Sequence, residues 1–218
     1  MNSFCVIGLG KFGQTLATTL AENGKQVMII DQNADVVTSL ADIVTHAVIG
    51  DPTNESVIRA SGIADYECAI ICIAGNINDN ILLCIMLREL GVKHIVARAV
   101  NEGHRKVLSH IGVDEIVFPE QDMGEKLAFM LSRNNVTEFI EFSGYQLVEM
   151  NVPKDWIGKT IIDLDIRKKY GINVIAVTDS ETEVADVSPS PTRAFNSKDR
   201  ITIIASDENM SKIMKKYG

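Results

Sequence analysis

The stretch FCVIGLGKFGQTLATTLAENGKQVMIID constrains the fold of this chain more than any other. It holds Gly8-x-Gly10-x-x-Gly13 directly after an apolar, strand-like run and directly before a helical pattern, and Asp31 closes the next strand-like run, 31 − 13 = 18 residues beyond the third glycine. In that context each glycine has a job. The first permits a tight turn, the second lets backbone approach a phosphate, and the third lets strand and helix pack closely. The helix that follows would offer its free N–H groups and partial positive charge to an anion. Asp31 is placed to accept ribose hydroxyls and would repel a 2′-phosphate, which argues against NADP and leaves NAD, ATP, ADP and AMP open. Lys11 and Phe12 sit inside the loop. A lysine there places a point charge where a terminal phosphate could lie, and a solvent-facing loop lysine is the plainer alternative.

Short β-branched runs alternate with helical stretches as far as residue 134, the pattern of parallel βαβ units. Strands are expected at residues 4–7, 27–30, 47–49, 68–73, 94–100 and 115–118, with five helices between them. The fold class is α/β, a Rossmann-like doubly wound parallel sheet with a second, smaller α+β lobe. In open parallel sheets ligands gather at the carboxyl ends of the strands. The candidates there are Asp31 and Gln32, then Asp51 and Pro52 in GDPTN, Ala74, Gly75 and Asn76 in AGNIND, and Arg98. Asn54 reads as a helix cap.

One more helix is expected at 123–133, with Met123, Leu127, Met130 and Leu131 on one side and no parallel strand after it. An apolar face of this kind suits packing against a second copy. Beyond it the chain reads as antiparallel strands with a short helical piece, TIIDLDIRKKYG, and a basic terminal helix. The division is therefore into residues 1–136 and 137–218.

The net charge of −8 argues against a nucleic-acid partner held by phosphate neutralisation. Apolar runs such as ILLCIML fall short of a membrane span, and strand-like residues begin at Phe4, so a cytoplasmic chain without direct membrane insertion is expected. Cys5, Cys68, Cys72 and Cys84 lie in apolar runs without C-x-x-C spacing and read as buried reduced thiols. A dehydrogenase would need a proton donor near its nicotinamide. His46 and His94 fall at strand starts, on the wrong edge of the sheet, and His104 and His110 share no face of their helix. No catalytic residue is expected, and an NAD-dependent oxidoreductase is the alternative.

The segments VIGLGKFG, HAVIGDPTNESVIRASGI, VARAVNEGHRKVLSHIGVDEIVFPEQDMG and IGKTIIDLDIRKKYGINVIAV together resemble the cytosolic RCK-domain regulatory subunits of Ktr/Trk-type bacterial potassium uptake systems. The resemblance runs through nearly the whole chain, over an RCK-N nucleotide-binding part and an RCK-C lobe. It implies a homo-oligomer, built from dimers into an octameric ring, that sits at the inner face of the cell membrane against a membrane potassium-translocating subunit. ATP or ADP in the Rossmann site would set the ring's shape. A potassium channel or an efflux system is the alternative partner.

The resemblance also assigns residues. Gly8, Gly10, Gly13 and Asp31 carry over directly, and Asp51 falls at the adenine side. Lys11 stands where relatives commonly have an arginine that reaches a neighbouring subunit's γ-phosphate, and lysine lacks the guanidinium fork. Glu120 matches an acidic position that can take part in binding a divalent cation at a dimer contact. In the second lobe Arg167 and Asn173 match positions that contact the phosphates of cyclic di-AMP, and Ile161, Ile162 and Pro189 fall near its adenine pocket.

Overall fold

The computed structural model describes residues 1–73, 75–179 and 181–218, which form two compact units, Met1–Glu120 and Gln121–Gly218. The first contains strands β1 (Ser3–Ile7), β2 (Gln26–Asp31), β3 (His46–Ile49), β4 (Cys68–Ile71), β5 (His94–Arg98) and β6 (Glu115–Val117). Helices α1 (Lys11–Glu22), α2 (Ala34–Leu40), α3 (Glu55–Ala60), α4 (Ile77–Glu89) and α5 (Glu102–His110) connect them. All six strands are parallel, in the order β3-β2-β1-β4-β5-β6, so the direction of winding reverses between β1 and β4.

Both faces of this sheet are covered, and the strand sequences show it. In β2, Met28 and Ile30 pack into one apolar layer with Cys5, Ile7 and Ile71, while Val27 and Ile29 pack into the other with Val6, Ala17 and Val37. A strand buried on both sides reads as a continuous apolar run rather than an alternating one. Each such isoleucine stabilises the unit by about 1.5–3 kcal/mol relative to an exposed one. The four cysteines are buried and free, as expected.

Helix α6 (Pro119–Leu131) begins earlier than residue 123, because Pro119 occupies the first helical position, where its fixed φ is favourable and its missing N–H costs nothing. Lys126 pairs with Glu138, and Phe129 stacks on Phe139 with ring centroids 3.9 Å apart. The unit boundary accordingly falls at residue 120, whereas the division drawn from sequence falls at 136. Strands β4 and β5 stop at Ile71 and Arg98, short of the expected 73 and 100, although the Cys72 N–H still donates to the Ile7 carbonyl at 2.7 Å and the Ala99 N–H to the Val117 carbonyl at 3.0 Å.

The second unit is an antiparallel sheet of β7 (Val136–Phe142), β8 (Tyr145–Asn151), β9 (Asn173–Asp179), β10 (Val184–Asp186) and β11 (Asp199–Ser206), in the order β10-β9-β11-β8-β7. Its central strand alternates, with Ile201, Ile203 and Ala205 buried among Trp156, Phe195 and the α9 (Asp207–Tyr217) residues Met210 and Ile213. The expected single helical piece is two, α7 (Ile161–Leu164) and α8 (Ile166–Tyr170), separated by Asp165 in the left-handed region at φ 45°. Aspartate adopts that conformation at modest cost, and a helix cannot continue through it. Among the described residues no helix is long and apolar enough to cross a membrane.

Candidate functional site

The carboxyl edge of the parallel sheet holds a cavity of about 310 Å³ at the point where the winding reverses. Seven residues singled out from sequence line it: Gly8, Gly10, Asp31, Gln32, Asp51, Pro52 and Arg98. Thr53, Cys72, Ile73 and Asp79 line it as well and escaped the sequence reading. Gly75 and Asn76 stand outside the lining and precede α4, with the Asn76 side chain accepting the Asn78 N–H at 2.9 Å as a helix cap. Ala74 lies outside the described residues.

Two of the three glycines are fixed by packing and one by open space. Gly8 has φ 92°, and a Cβ there would stand 2.9 Å from Ile73 Cγ1. At Gly13 a Cβ would stand 2.0 Å from the Gly8 carbonyl oxygen, so strand and helix can approach this closely only without a side chain. At Gly10 an added Cβ would meet nothing within 4 Å. Packing does not require a glycine at that place, but an object lying against the loop would.

The start of α1 reinforces this. Helices α2, α3, α4 and α5 are each capped by an asparagine side chain, from Asn33, Asn54, Asn76 and Asn101. Gly10 gives α1 no side-chain cap, which leaves the first-turn N–H groups of Lys11, Phe12 and Gly13 to an outside acceptor. Phe12 packs on the apolar layer below, while Lys11 is exposed and is absent from the cavity lining.

Asp31 ties this loop to the second strand. Its Oδ2 accepts the Leu9 N–H at 2.5 Å and its Oδ1 accepts the Asn33 N–H at 2.8 Å. Each carboxylate oxygen keeps acceptor capacity for a hydroxyl in the cavity. Asp51 Oδ1 accepts from the Thr53 N–H at 2.9 Å and from its hydroxyl at 2.7 Å. These bonds, the backbone one foremost, hold its carboxyl below the usual range, so it remains charged. Beneath the glycine loop, burial pushes the Cys72 thiol up to about 12, which makes it an inert wall at neutral pH.

At the far end Arg98 donates from Nε to Glu120 Oε2 at 3.2 Å and from Nη2 to Glu120 Oε1. Glu120 therefore spends both oxygens on a guanidinium, and no cluster of three or more His, Cys, Asp or Glu residues exists among the described residues. Within one chain these residues do not make a cation site. A cation would need ligands from outside it, such as a nucleotide's phosphates. Asn80, fully buried, donates from Nδ2 to the carbonyls of Ile73 at 3.1 Å and Arg98 at 3.3 Å. It fixes the ends of two strands under the cavity floor.

The second-lobe candidates are close in sequence and mostly at the surface. Ile162 and Arg167 are exposed on α7 and α8, Asn173 opens β9, and Ile161 is half-buried. The Ile162 N–H donates to the Pro191 carbonyl at 3.2 Å, which brings α7 against the segment that carries Pro189. Asn173 lines a separate depression of about 270 Å³ with Tyr145 and Ser206.

A parallel sheet of this order, with an uncapped glycine-loop helix and an acid at the end of β2, defines a Rossmann-type unit, here joined to a small antiparallel lobe. The comparisons with known proteins agree. Residues 4–119 match the TrkA-N domain model and residues 147–218 the TrkA-C domain model. The chain is 41% identical to Ktr system potassium uptake protein C of Bacillus subtilis (strain 168), over 98% of this chain and 96% of that one. It is 36% identical to Ktr system potassium uptake protein A of the same organism, over 96% and 94%. Among solved structures the GsuK RCK domain superposes with a TM-score of 0.68 at 19% identity, covering all of this chain and 48% of that one. The GsuK channel bound to NAD gives a TM-score of 0.68 at 18%, over 98% and 39%. This chain thus spans half or less of those two proteins, and at such identities the likeness speaks for the fold. The chain belongs to the family of TrkA-N/TrkA-C proteins that includes the Ktr potassium uptake proteins.

Proposed function

We propose that this chain is a nucleotide-sensing regulatory subunit of a potassium uptake system, that it catalyses no reaction itself, and that it works at the inner face of the cell membrane. The observation that carries this reading is the 41% identity to a Ktr potassium uptake protein across nearly the full length of both chains. The site gives it a mechanism. Adenosine ribose lies against Asp31, the diphosphate lies over Gly10 on the α1 N-terminus, and Arg98 stands where a further phosphate would compete with Glu120 for its guanidinium. Glu120 lies in the first turn of α6, the helix that leads into the second unit. A ligand that draws Arg98 from Glu120 changes the start of that helix, and a ligand that leaves the pair intact does not. That difference in contacts is what a conformational switch requires.

Self-association follows from the same helix. Met123, Leu127 and Leu131, spaced by four, are 61%, 49% and 76% exposed. An apolar stripe of this kind is supported best by burial against a second copy. In this reading the assembled ring is the gating element for a membrane potassium-translocating partner, and Glu120 gains its place in a divalent-cation site only at the contact between copies. The second lobe takes cyclic di-AMP through Arg167 and Asn173, with Ile161, Ile162 and Pro189 against the base. What supports that extension is the exposed run formed by α7, α8 and the start of β9.

Calorimetry on the full chain with ATP, ADP, NAD and cyclic di-AMP, alongside potassium uptake by cells carrying the membrane subunit, tests the proposal. Binding of ATP and ADP together with loss of regulated uptake in Asp31→Ala supports it. Turnover of NAD with any substrate, or uptake indifferent to the chain, overturns it.

A further inference from the structure

From the lysine-lined groove between α8 and α9 we infer that the second unit carries a binding site for phosphate groups of anionic phospholipid headgroups. The groove, about 380 Å³, is lined by Lys168, Lys169, Tyr170, Asn209, Lys212 and Lys216 among others, and no carboxylate contributes to the lining. In a chain of net charge −8, α8 and α9 together carry Arg167, Lys168, Lys169, Lys212, Lys215 and Lys216. Only Lys212 of the four lining lysines has a carboxylate partner among the described residues, Glu208 at 2.6 Å one turn away on the same exposed helix face. An exposed i, i+4 pair of this kind is weak and yields readily to a competing anion.

The groove is also partly pre-organised. The Lys216 ammonium lies 4.7 Å from the centroid of the Tyr217 ring and 5.5 Å from that of Tyr170. Contact with the Tyr217 hydroxyl holds it above its ordinary pKa, so it remains charged. The Asn209 side chain donates to the Gly171 carbonyl at 3.3 Å and closes the groove at the end of α8. Ammonium groups from two helices converging on one concave surface make an anion site with multiple donors, and phosphate is the anion such point charges suit. This groove contains neither Arg167 nor Asn173.

Lipid is chosen over a soluble phosphate because the proposed regulatory role places the chain beside a membrane whose inner leaflet is anionic, and clusters of four or more lysines bind such surfaces. The inference rests on that reading for this choice alone. It is tested on the full chain by flotation with vesicles of phosphatidylcholine, with or without about 30% phosphatidylglycerol, at salt from roughly 50 to 300 mM. Binding is expected only to the anionic vesicles and should fade with salt. The exposed triple substitution Lys168→Gln/Lys169→Gln/Lys216→Gln should weaken it by at least about tenfold, since each lysine near an anionic surface contributes about fivefold. The control Lys93→Gln/Lys106→Gln/Lys198→Gln, also exposed and outside the groove lining, should change it by less than about twofold. Equal losses in the two triples, equal binding to both vesicle types, or saturable binding of inorganic phosphate without vesicle binding would each overturn the lipid site. ADP calorimetry on the same proteins reads the nucleotide site separately, so failure of one reading is distinct from failure of the other.

Discussion

Gly10, which caps α1, and Gly13, in its first turn, stand three residues apart, and the structure assigns them opposite consequences when each becomes alanine. At Gly13 the new Cβ would lie 2.0 Å from the Gly8 carbonyl oxygen and 3.3 Å from Cys72 Cβ. The first of these is backbone held in the parallel sheet and cannot step aside, so α1 must move off β1. Overpacking of this severity costs about 3 kcal/mol or more, a melting temperature lower by roughly 10 °C in a chain of this size. At Gly10 the Cβ meets nothing within 4 Å, and the backbone, at φ −64° and ψ −179°, is one alanine adopts freely. The loss of a favourable cap residue and the stiffening of the unfolded chain are each about 0.5 kcal/mol and opposite in sign, so stability stays nearly unchanged. The methyl group instead occupies the space a diphosphate would take against the helix N-terminus. Gly10→Ala should therefore weaken ADP by at least about tenfold, about 1.4 kcal/mol. Thermal melting without ligand reads the first quantity and titration calorimetry the second. Full ADP affinity in Gly10→Ala would refute the placement of phosphate on this loop, and a Gly13→Ala protein as stable as the parent would refute the packing argument.

Asp31→Ala should weaken ATP, ADP and NAD together by about 2 kcal/mol in calorimetry, and it should also lower the melting temperature, because the Leu9 and Asn33 N–H groups lose their acceptor. Lys11→Ala should weaken ATP more than ADP, by about fivefold at low salt and less at high salt; equal losses would assign the lysine to phosphates the two ligands share. Leu127→Glu, in the exposed α6 stripe, should reduce the mass seen by light scattering toward the monomer without loss of helical signal, and an unchanged mass would place the contact elsewhere. Burial pushes the thiols of Cys68, Cys72 and Cys84 up to about 11, 12 and 12. Their folded-state pKa values lie above the unfolded ones, so this contribution is whole below about pH 8.5 and is lost as pH rises through the folded values. Denaturation midpoints should fall between about pH 9 and 12, and by less when all three are replaced by alanine.

The six parallel strands and the glycine loop were legible in the sequence because each rests on a local signal, an apolar run or a glycine followed by a helical period. The second lobe was legible in outline, but the break between α7 and α8 was not. It depends on an aspartate at positive φ, where no glycine marks the turn. Cys72 and Ile73 escaped as lining residues because their apolar run reads as strand throughout, whereas the strand ends at Ile71 and the next two residues, the first still bonded to the Ile7 carbonyl, line the cavity. Asp79 carried no signal distinct from that of an acid favouring the first turn of a helix.

The link between Arg98 and Glu120 was out of reach for a deeper reason. Both residues were candidates, one for a ligand and one for a cation, and nothing local joins two positions 22 residues apart. They meet because β5 and β6 pair in the register Arg98↔Val117, which sets the first turn of α6 beside the guanidinium. Register is a property of the assembled sheet, fixed by which faces are buried along every strand. Asn80 shows the same dependence. Alone it is one more asparagine in a helix start, yet its side chain spans the carbonyls of Ile73 and Arg98 and so couples the β4 edge of the cavity to the residue that holds Glu120. Pressure on the cavity floor and pressure on the start of α6 thus act on the same few groups. These shared groups are where the proposed switch would join a 310 Å³ cavity to the first turn of α6.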